Sequence, residues 1–388
     1  MKKTILFIAG IWLAVSGCQP EQKKQPKVEK TDEAATHTLR ISGKALKFEP
    51  DTVTSATTNC LFYYQIDSLE VLAYLNRPGN EIIIYDINTQ KQLFKITPEK
   101  KGPNGVGIIN GFHIVNFDSI YIGPTNNWKV FVIDRAARVI QTIRYGLTDS
   151  LPSPTPHILP QHPLVMDKGK IYLPSLPFGN WNGYKSYGDV PVCCVVDTAT
   201  GGYTFLPMTY PEDYLDNGKK EPVYSRIKAG DNFVYSFFGD HHLYVTRDHV
   251  KVKKIWAGSA YFEEFKFIKN NPDMQAYLKY LAETPYYRAI VYDPFRKVYY
   301  RLVSLGSEVD NSDNLALLSR YPPNASIIIL DSAFNKVGET RLPYGQFDLR
   351  AYFVAPEGLY VSENSPLNQT YTDESIRFRL LKLVTGEN

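Results

Sequence analysis

The sequence predicts an all-β fold: a six-bladed β-propeller of four-stranded blades, closed by an N-terminal strand, with one helical insertion near 271–284. Three observations predict it: turns led by aspartate that recur along the chain, a β-like segment with no partner at the start of the domain, and a last unit lacking its fourth strand. Composition agrees. The 388 residues include 28 Tyr and 20 Phe against 4 Met, with 25 Gly and 26 Pro as frequent breaks. Short runs such as Ile82-Ile83-Ile84-Tyr85 and Ser326-Ile327-Ile328-Ile329-Leu330 end in turn residues. Helical periodicity is confined to Asp273 to Glu283, where Met274, Tyr277, Leu278 and Leu281 fall on one face.

The repeat emerges when the turns are aligned. A turn residue precedes a β-like run at Asp67, Asp118, Asp167, Asp231 and Asp293, with Ala355 in the sixth place. A second series follows at Asp86, Asp134, Asp197, Asp248 and Asp331. Aspartate suits such turns because its carboxylate accepts from backbone N–H groups a few residues on. Each full unit then holds four strands, A to D. The last unit has strands near Arg350 to Val354, Leu359 to Glu363 and Arg377 to Val384, after which the chain stops. Thr38 to Phe48 precedes the first unit and is expected to supply the missing outermost strand, which also covers an open sheet edge.

The N-terminus carries a different signal. Lys2 and Lys3 precede an apolar run from Ile5 to Val15, too short to span a bilayer as a helix. The run ends in Val15-Ser16-Gly17-Cys18, which resembles a lipobox, the site where a peptidase cuts and a lipid is attached to the cysteine. From Gln19 to Thr36 the chain is polar, with four Lys against three Glu and one Asp, and reads as a disordered tether. The expected organisation is therefore a signal peptide at 1–17, a lipidated Cys18 and tether over 18–36, and a propeller over 37–388. No other run approaches spanning length. The formal charge of +3 is too mild to argue for nucleic acid.

Several passages together resemble a domain-of-unknown-function family of six-bladed β-propeller lipoproteins from Bacteroidota. They are the lipobox, the Gly102-Pro103-Asn104-Gly105 turn and the passage Asn271 to Arg301. Within the last, Tyr280-Leu281-Ala282-Glu283, Pro285-Tyr286-Tyr287 and Tyr292-Asp293-Pro294-Phe295-Arg296-Lys297-Val298-Tyr299-Tyr300-Arg301 carry most weight. The resemblance implies a propeller exported to the cell envelope. It brings no activity and no site residues.

Propeller topology says where function should lie. The A-to-B and C-to-D turns share one face, and both aspartate series fall there. The long connections, at 146–161, 175–190, 208–221, 258–284 and 305–324, gather on the other, where binding sites on rigid scaffolds usually form. Five residues before each A-to-B turn stand His113, His162, Arg226, Arg288 and Arg350, with Phe62 in the first unit. Pointing inward, the five would ring the channel mouth and attract an anion. Paired with local carboxylates or carbonyls, they would instead brace neighbouring blades. Tyr224, Tyr286, Tyr287 and Trp181 lie near the same rim.

Catalytic signals are sparse. Asp240-His241-His242 falls at a B-to-C turn, but adjacent histidines on a strand face opposite ways, so no metal site is expected. No Gly-x-Ser-x-Gly elbow, His-Glu-x-x-His motif or phosphate loop is present, and no cofactor is expected. Cys60, Cys193 and Cys194 are expected as buried free thiols. The favoured function is a membrane-anchored envelope lipoprotein, probing the periplasm from the outer membrane, whose loop-rich face binds a partner protein or small anionic ligand. The alternative is an extracytoplasmic enzyme acting on a glycan or other polymer in the channel.

Overall fold

The computed structural model describes residues 36–125, 128–146, 153–176, 190–215, 218, 220–268, 272–310 and 314–386. Residues 1–17, expected as a signal peptide, and Cys18, the expected lipid attachment site, lie outside them, as does Trp181. The described chain forms six separate antiparallel sheets. After β1 (His37–Phe48), blade 1 holds β2 (Leu61–Ile66), β3 (Leu69–Asn76), β4 (Glu81–Asp86) and β5 (Gln92–Ile96). Blade 2 holds β6 (Ile109–Asn116), β7 (Ser119–Pro124), β8 (Lys129–Ile133) and β9 (Val139–Arg144). In blade 3, β10 (Ser153–Pro154) and β11 (Val165–Asp167) both pair with β12 (Lys170–Leu176), followed by β13 (Cys193–Asp197) and β14 (Tyr203–Phe205). Blade 4 holds β15 (Tyr224–Ala229), β16 (Asn232–Phe237), β17 (His242–Thr246) and β18 (Val252–Trp256). The insertion helix α1 (Met274–Glu283) precedes blade 5, made of β19 (Tyr286–Asp293), β20 (Val298–Ser304), β21 (Ala325–Leu330) and β22 (Lys336–Arg341). A short helix, α2 (Leu315–Arg320), joins β20 to β21. Blade 6 holds β23 (Asp348–Ala355), β24 (Gly358–Ser362) and β25 (Ile376–Thr385), and β1 completes it.

Ring closure follows the sequence. β1 runs antiparallel to β25, from His37 opposite Thr385 to Phe48 opposite Ile376. Because β25 is a C strand, its Thr385 end lies on the turn face. The propeller's N-terminal strand therefore starts on the turn face and finishes on the loop-rich face.

The core is a set of seams. Six buried apolar clusters each join one blade to the next. Alternation along each strand sends neighbouring side chains to opposite seams. In β3, Leu72 and Tyr74 pack towards blade 6, while Val71, Ala73 and Leu75 pack towards blade 2. Blade edges meet water and blade faces do not, which is why the strands read as apolar on both sides.

The two turn series are held differently. The second works as its aspartates suggest: Asp86 accepts from Thr89 N, Asp134 from Arg138 N, Asp197 from Thr200 N, Asp248 from Lys251 N and Asp331 from Asn335 N, at 2.7–2.9 Å. In the first series Asp293 accepts from Phe295 N and Arg296 N at 3.0 Å. Asp67 instead takes a left-handed conformation, φ 55°, one that Asp tolerates better than most residues. The helix near 271–284 forms as expected, with Asp273 capping it by accepting from Ala276 N at 2.7 Å. Cys60, Cys193 and Cys194 are free and buried.

Candidate functional site

The structure uses the five cation positions unequally. His113 lies on β6 with Nδ1 3.5 Å from the Tyr64 hydroxyl, and burial lowers its pKa to about 4. His162 sits in a small bridge with Leu159 just ahead of β11, so blade 3 begins its A strand later than the repeat implies. Its ring is buried edge-on against Tyr224. Burial first, then the charge of nearby Arg226, holds it well below the usual histidine range. Both imidazoles are therefore neutral near pH 7.

Arg226, on β15, is fully buried. It reaches into blade 3, donating to the carbonyls of Pro163 and Tyr172 at 3.1 Å and to Cys193 Sγ at 3.5 Å. Arg350 closes a bidentate pair on Asp348, with both contacts at 2.8 Å, and its guanidinium lies 4.0 Å from the Tyr321 ring centroid. Asp348 holds the Arg350 charge firmly in place despite the opposing effect of burial. Arg288 falls at a bulge in β19 and donates to the Tyr286 hydroxyl. Among the described residues no hydrogen bond or ion pair joins any two of the five. Arg226 braces the seam between blades 3 and 4, and Arg350 is spent on its own carboxylate. Bulges at Tyr287/Ala289 and Asp348/Tyr352 interrupt the strand register beside Arg288 and Arg350.

A different site lies on the loop-rich face where blades 4 and 5 meet. Here the connection before β15, the B-to-C loop of blade 4 and helix α1 enclose a cavity of about 230 Å³. Phe238 and Tyr286 form one wall, with rings stacked 5.1 Å apart at 15°. Tyr277, Tyr280 and Phe265 add further aromatic lining. Charged side chains interrupt it. Glu221 accepts from the Tyr277 hydroxyl at 2.7 Å, and burial raises its pKa despite that bond. Lys220 donates to the Gly239 carbonyl at 3.0 Å, with its ammonium 4.7 Å from the Tyr214 ring centroid. Lys266 at the edge pairs with Glu283 at 3.0 Å.

A buried arginine fixes this cavity's frame. Arg301, on β20, is fully buried, with its guanidinium 3.4 Å from the Tyr287 ring centroid. It donates to Ser236 Oγ and to the carbonyls of Asp240, His241, His242 and Ala257, at 2.7–3.3 Å. One blade 5 side chain thus ties down the loop of blade 4 that follows Phe238 and the start of the 258–284 insertion. In the sequence Arg301 stands only as the end of a passage carrying the family resemblance, and nothing in Tyr-Tyr-Arg-Leu-Val marks it as a brace.

Asp240-His241-His242 is likewise occupied by the fold. His242 N and Nδ1 both meet Asp240 Oδ1 at 2.8 Å, and Tyr244 donates to Asp240 Oδ2 at 2.6 Å. Burial would raise the Asp240 pKa, but these bonds outweigh it and hold it at about 2. His241 Nε2 lies 2.9 Å from the Glu263 carbonyl, so it carries the proton, and Nδ1 accepts from Tyr287 at 2.6 Å. Among the described residues no group of three or more His, Cys, Asp or Glu side chains could hold a metal ion.

Comparison with known proteins agrees with this architecture. A family model described as a domain of unknown function, DUF4221, matches residues 38–341. The crystal structure of a DUF4221 member from Bacteroides vulgatus is 23% identical, with a TM-score of 0.80, covering 91% of this chain and 99% of that one. A second structure, from Bacteroides fragilis and named as an exported protein, is 10% identical with a TM-score of 0.53, covering 92% and 98%. No curated protein matches the chain.

Proposed function

This chain belongs to the DUF4221 family, and we propose that it works as a lipid-anchored receptor of the bacterial envelope, binding a partner on its loop-rich face. The observation that carries the reading is the direction of β1. His37 enters on the turn face, opposite the long connections. A tether lipidated at Cys18 would join the propeller there, on the face opposite the long connections. Support for export comes from the lipobox and from the fold shared with a protein named as exported. The reading takes the anchor to be in the outer membrane, facing the periplasm, because the residues after Cys18 hold one acidic side chain before Lys23.

The partner is a protein or a small ligand. Short turns pinned by aspartate give one face little to adapt, while five long connections give the other a varied surface. For a small anion, Arg288 is the least committed of the five cations, its described partner being a tyrosine hydroxyl.

Site-specific photo-crosslinking in living cells tests the working face. Met274 and Tyr344, each 70% exposed, belong to loop-rich connections, and Asp118 lies at a turn on the other face. A photoreactive residue at 274 or 344 should yield a discrete adduct that is missing at 118. Adducts confined to 118 would overturn the reading.

A further inference from the structure

The geometry points to the cavity between blades 4 and 5 as a subsite for one neutral sugar ring, held by Glu221 against the Phe238–Tyr286 wall. The inference rests on the loop-rich face being the working face and names the chemistry of its ligand.

Size comes first. A cavity of about 230 Å³ is larger than the roughly 150 Å³ that accommodates benzene, and suits a single substituted six-membered ring. The lining comes next. Phe238, Phe265, Tyr277, Tyr280 and Tyr286 offer apolar area to the C–H face of a pyranose. Glu221 breaks that lining with a carboxylate that is mostly buried and receives one hydroxyl, from Tyr277, at Oε1. A carboxylate in such surroundings is under-solvated, as its raised pKa also indicates, and gains from further donors. Paired sugar hydroxyls supply them without importing a charge.

Charge balance separates this ligand from an ion. Lys220 faces Glu221 within the lining, and Lys266 at the edge is already paired with Glu283 outside it, so the formal charges cancel. A free cation would meet the Lys220 ammonium and a free anion the Glu221 carboxylate. A neutral ring bearing both donors and acceptors meets neither penalty. The walls come from the connection before β15, the B-to-C loop of blade 4 and helix α1, and Arg301 fixes the loop among them. The ring would enter a frame set before binding, which limits the ordering cost.

Saturation-transfer NMR on the whole propeller tests this with methyl glycosides of glucose, galactose, mannose and N-acetylglucosamine, alongside tetramethylammonium and inorganic phosphate. The expected result is transfer to the ring C–H protons of at least one glycoside. Glu221→Gln, which keeps the shape, should weaken binding about tenfold, and Phe238→Ala should abolish the transfer, with unchanged circular dichroism showing that both variants fold. No transfer to any of the four sugars overturns the inference. So does transfer that survives both substitutions, or binding of the two ions alone. Adducts at 274 or 344 without sugar binding would leave the loop-rich face as the working face and remove only the sugar.

Discussion

The backbone N–H of Leu39 donates to Thr340 Oγ1 at 2.8 Å, so the strand that completes blade 6 is also tied to blade 5. The tie continues at Thr36, whose N–H reaches the Val337 carbonyl at 3.0 Å. Gly338 lies so close that an added Cβ would stand 1.9 Å from the His37 carbonyl oxygen. Gly338→Ala should therefore push β1 from its seat and cost roughly 1–3 kcal/mol. Gly43 in the same strand has nothing within 4 Å of an added Cβ, and Gly43→Ala should be nearly neutral. Thermal melts of the two variants read the difference. Deleting residues 38–48 should lower the melting temperature far more than deleting 19–35.

Arg226 and Arg350 are expected to be braces. Arg350→Ala leaves Asp348, 2% exposed, without its cation and should cost about 3–5 kcal/mol. Arg226→Ala strands two carbonyls in the blade 3–4 seam and should also destabilise strongly. Arg288→Ala should change little, since it gives up a bond to a tyrosine hydroxyl near the surface. A ring of cations held only for an anion would behave oppositely: each substitution would relieve repulsion and leave or raise the melting temperature of the unliganded protein.

Much of this fold is legible in the sequence because turns obey local chemistry. Asp197 accepts from Ala199 N and Thr200 N whatever the rest of the chain does, so an aspartate spacing can be read as a strand spacing. Closure is legible because an unpaired first strand and a missing last one are complementary. The direction of side chains on the A strands is not. A single bulge beside Arg288 shifts the strand register there, and bulges leave no clear mark in composition. Helix α2, at 6 residues, is too short to show periodicity. The cavity was hidden for a related reason. Glu221, Phe238 and Tyr277 come from three connections, and only the packing of the blades brings them together.

Mild acid should weaken the fold through its buried histidines. Burial holds His113, His241 and His249 at about 4, against 6.5 for the free side chain. A folded pKa below the unfolded one means the unfolded chain binds the proton first. The stability is therefore complete above about pH 6.5 and falls as the pH drops towards 4. Each such histidine contributes on the order of 3 kcal/mol across that window. His113→Phe should flatten part of the slope in denaturation midpoints measured from pH 7 to pH 4. An unchanged slope would mean that His113 is protonated in the folded protein.

Cys18→Ala should move the protein from the membrane fraction to the soluble fraction, with loss of incorporated lipid label. Retention in the membrane without lipid would remove the anchor from the account.

The most direct measurement of the central claim uses the lipidated chain in liposomes whose headgroups carry a nitroxide quencher. A fluorophore is placed at position 118 on the turn face, through Asp118→Cys, or at position 274 on the loop-rich face, through Met274→Cys. The thiols of Cys60, Cys193 and Cys194 are buried, so labelling is confined to the new site. Entry of β1 on the turn face predicts stronger quenching at 118 than at 274. Stronger quenching at 274 would put the loop-rich face against the membrane and contradict a receptor that presents it outward.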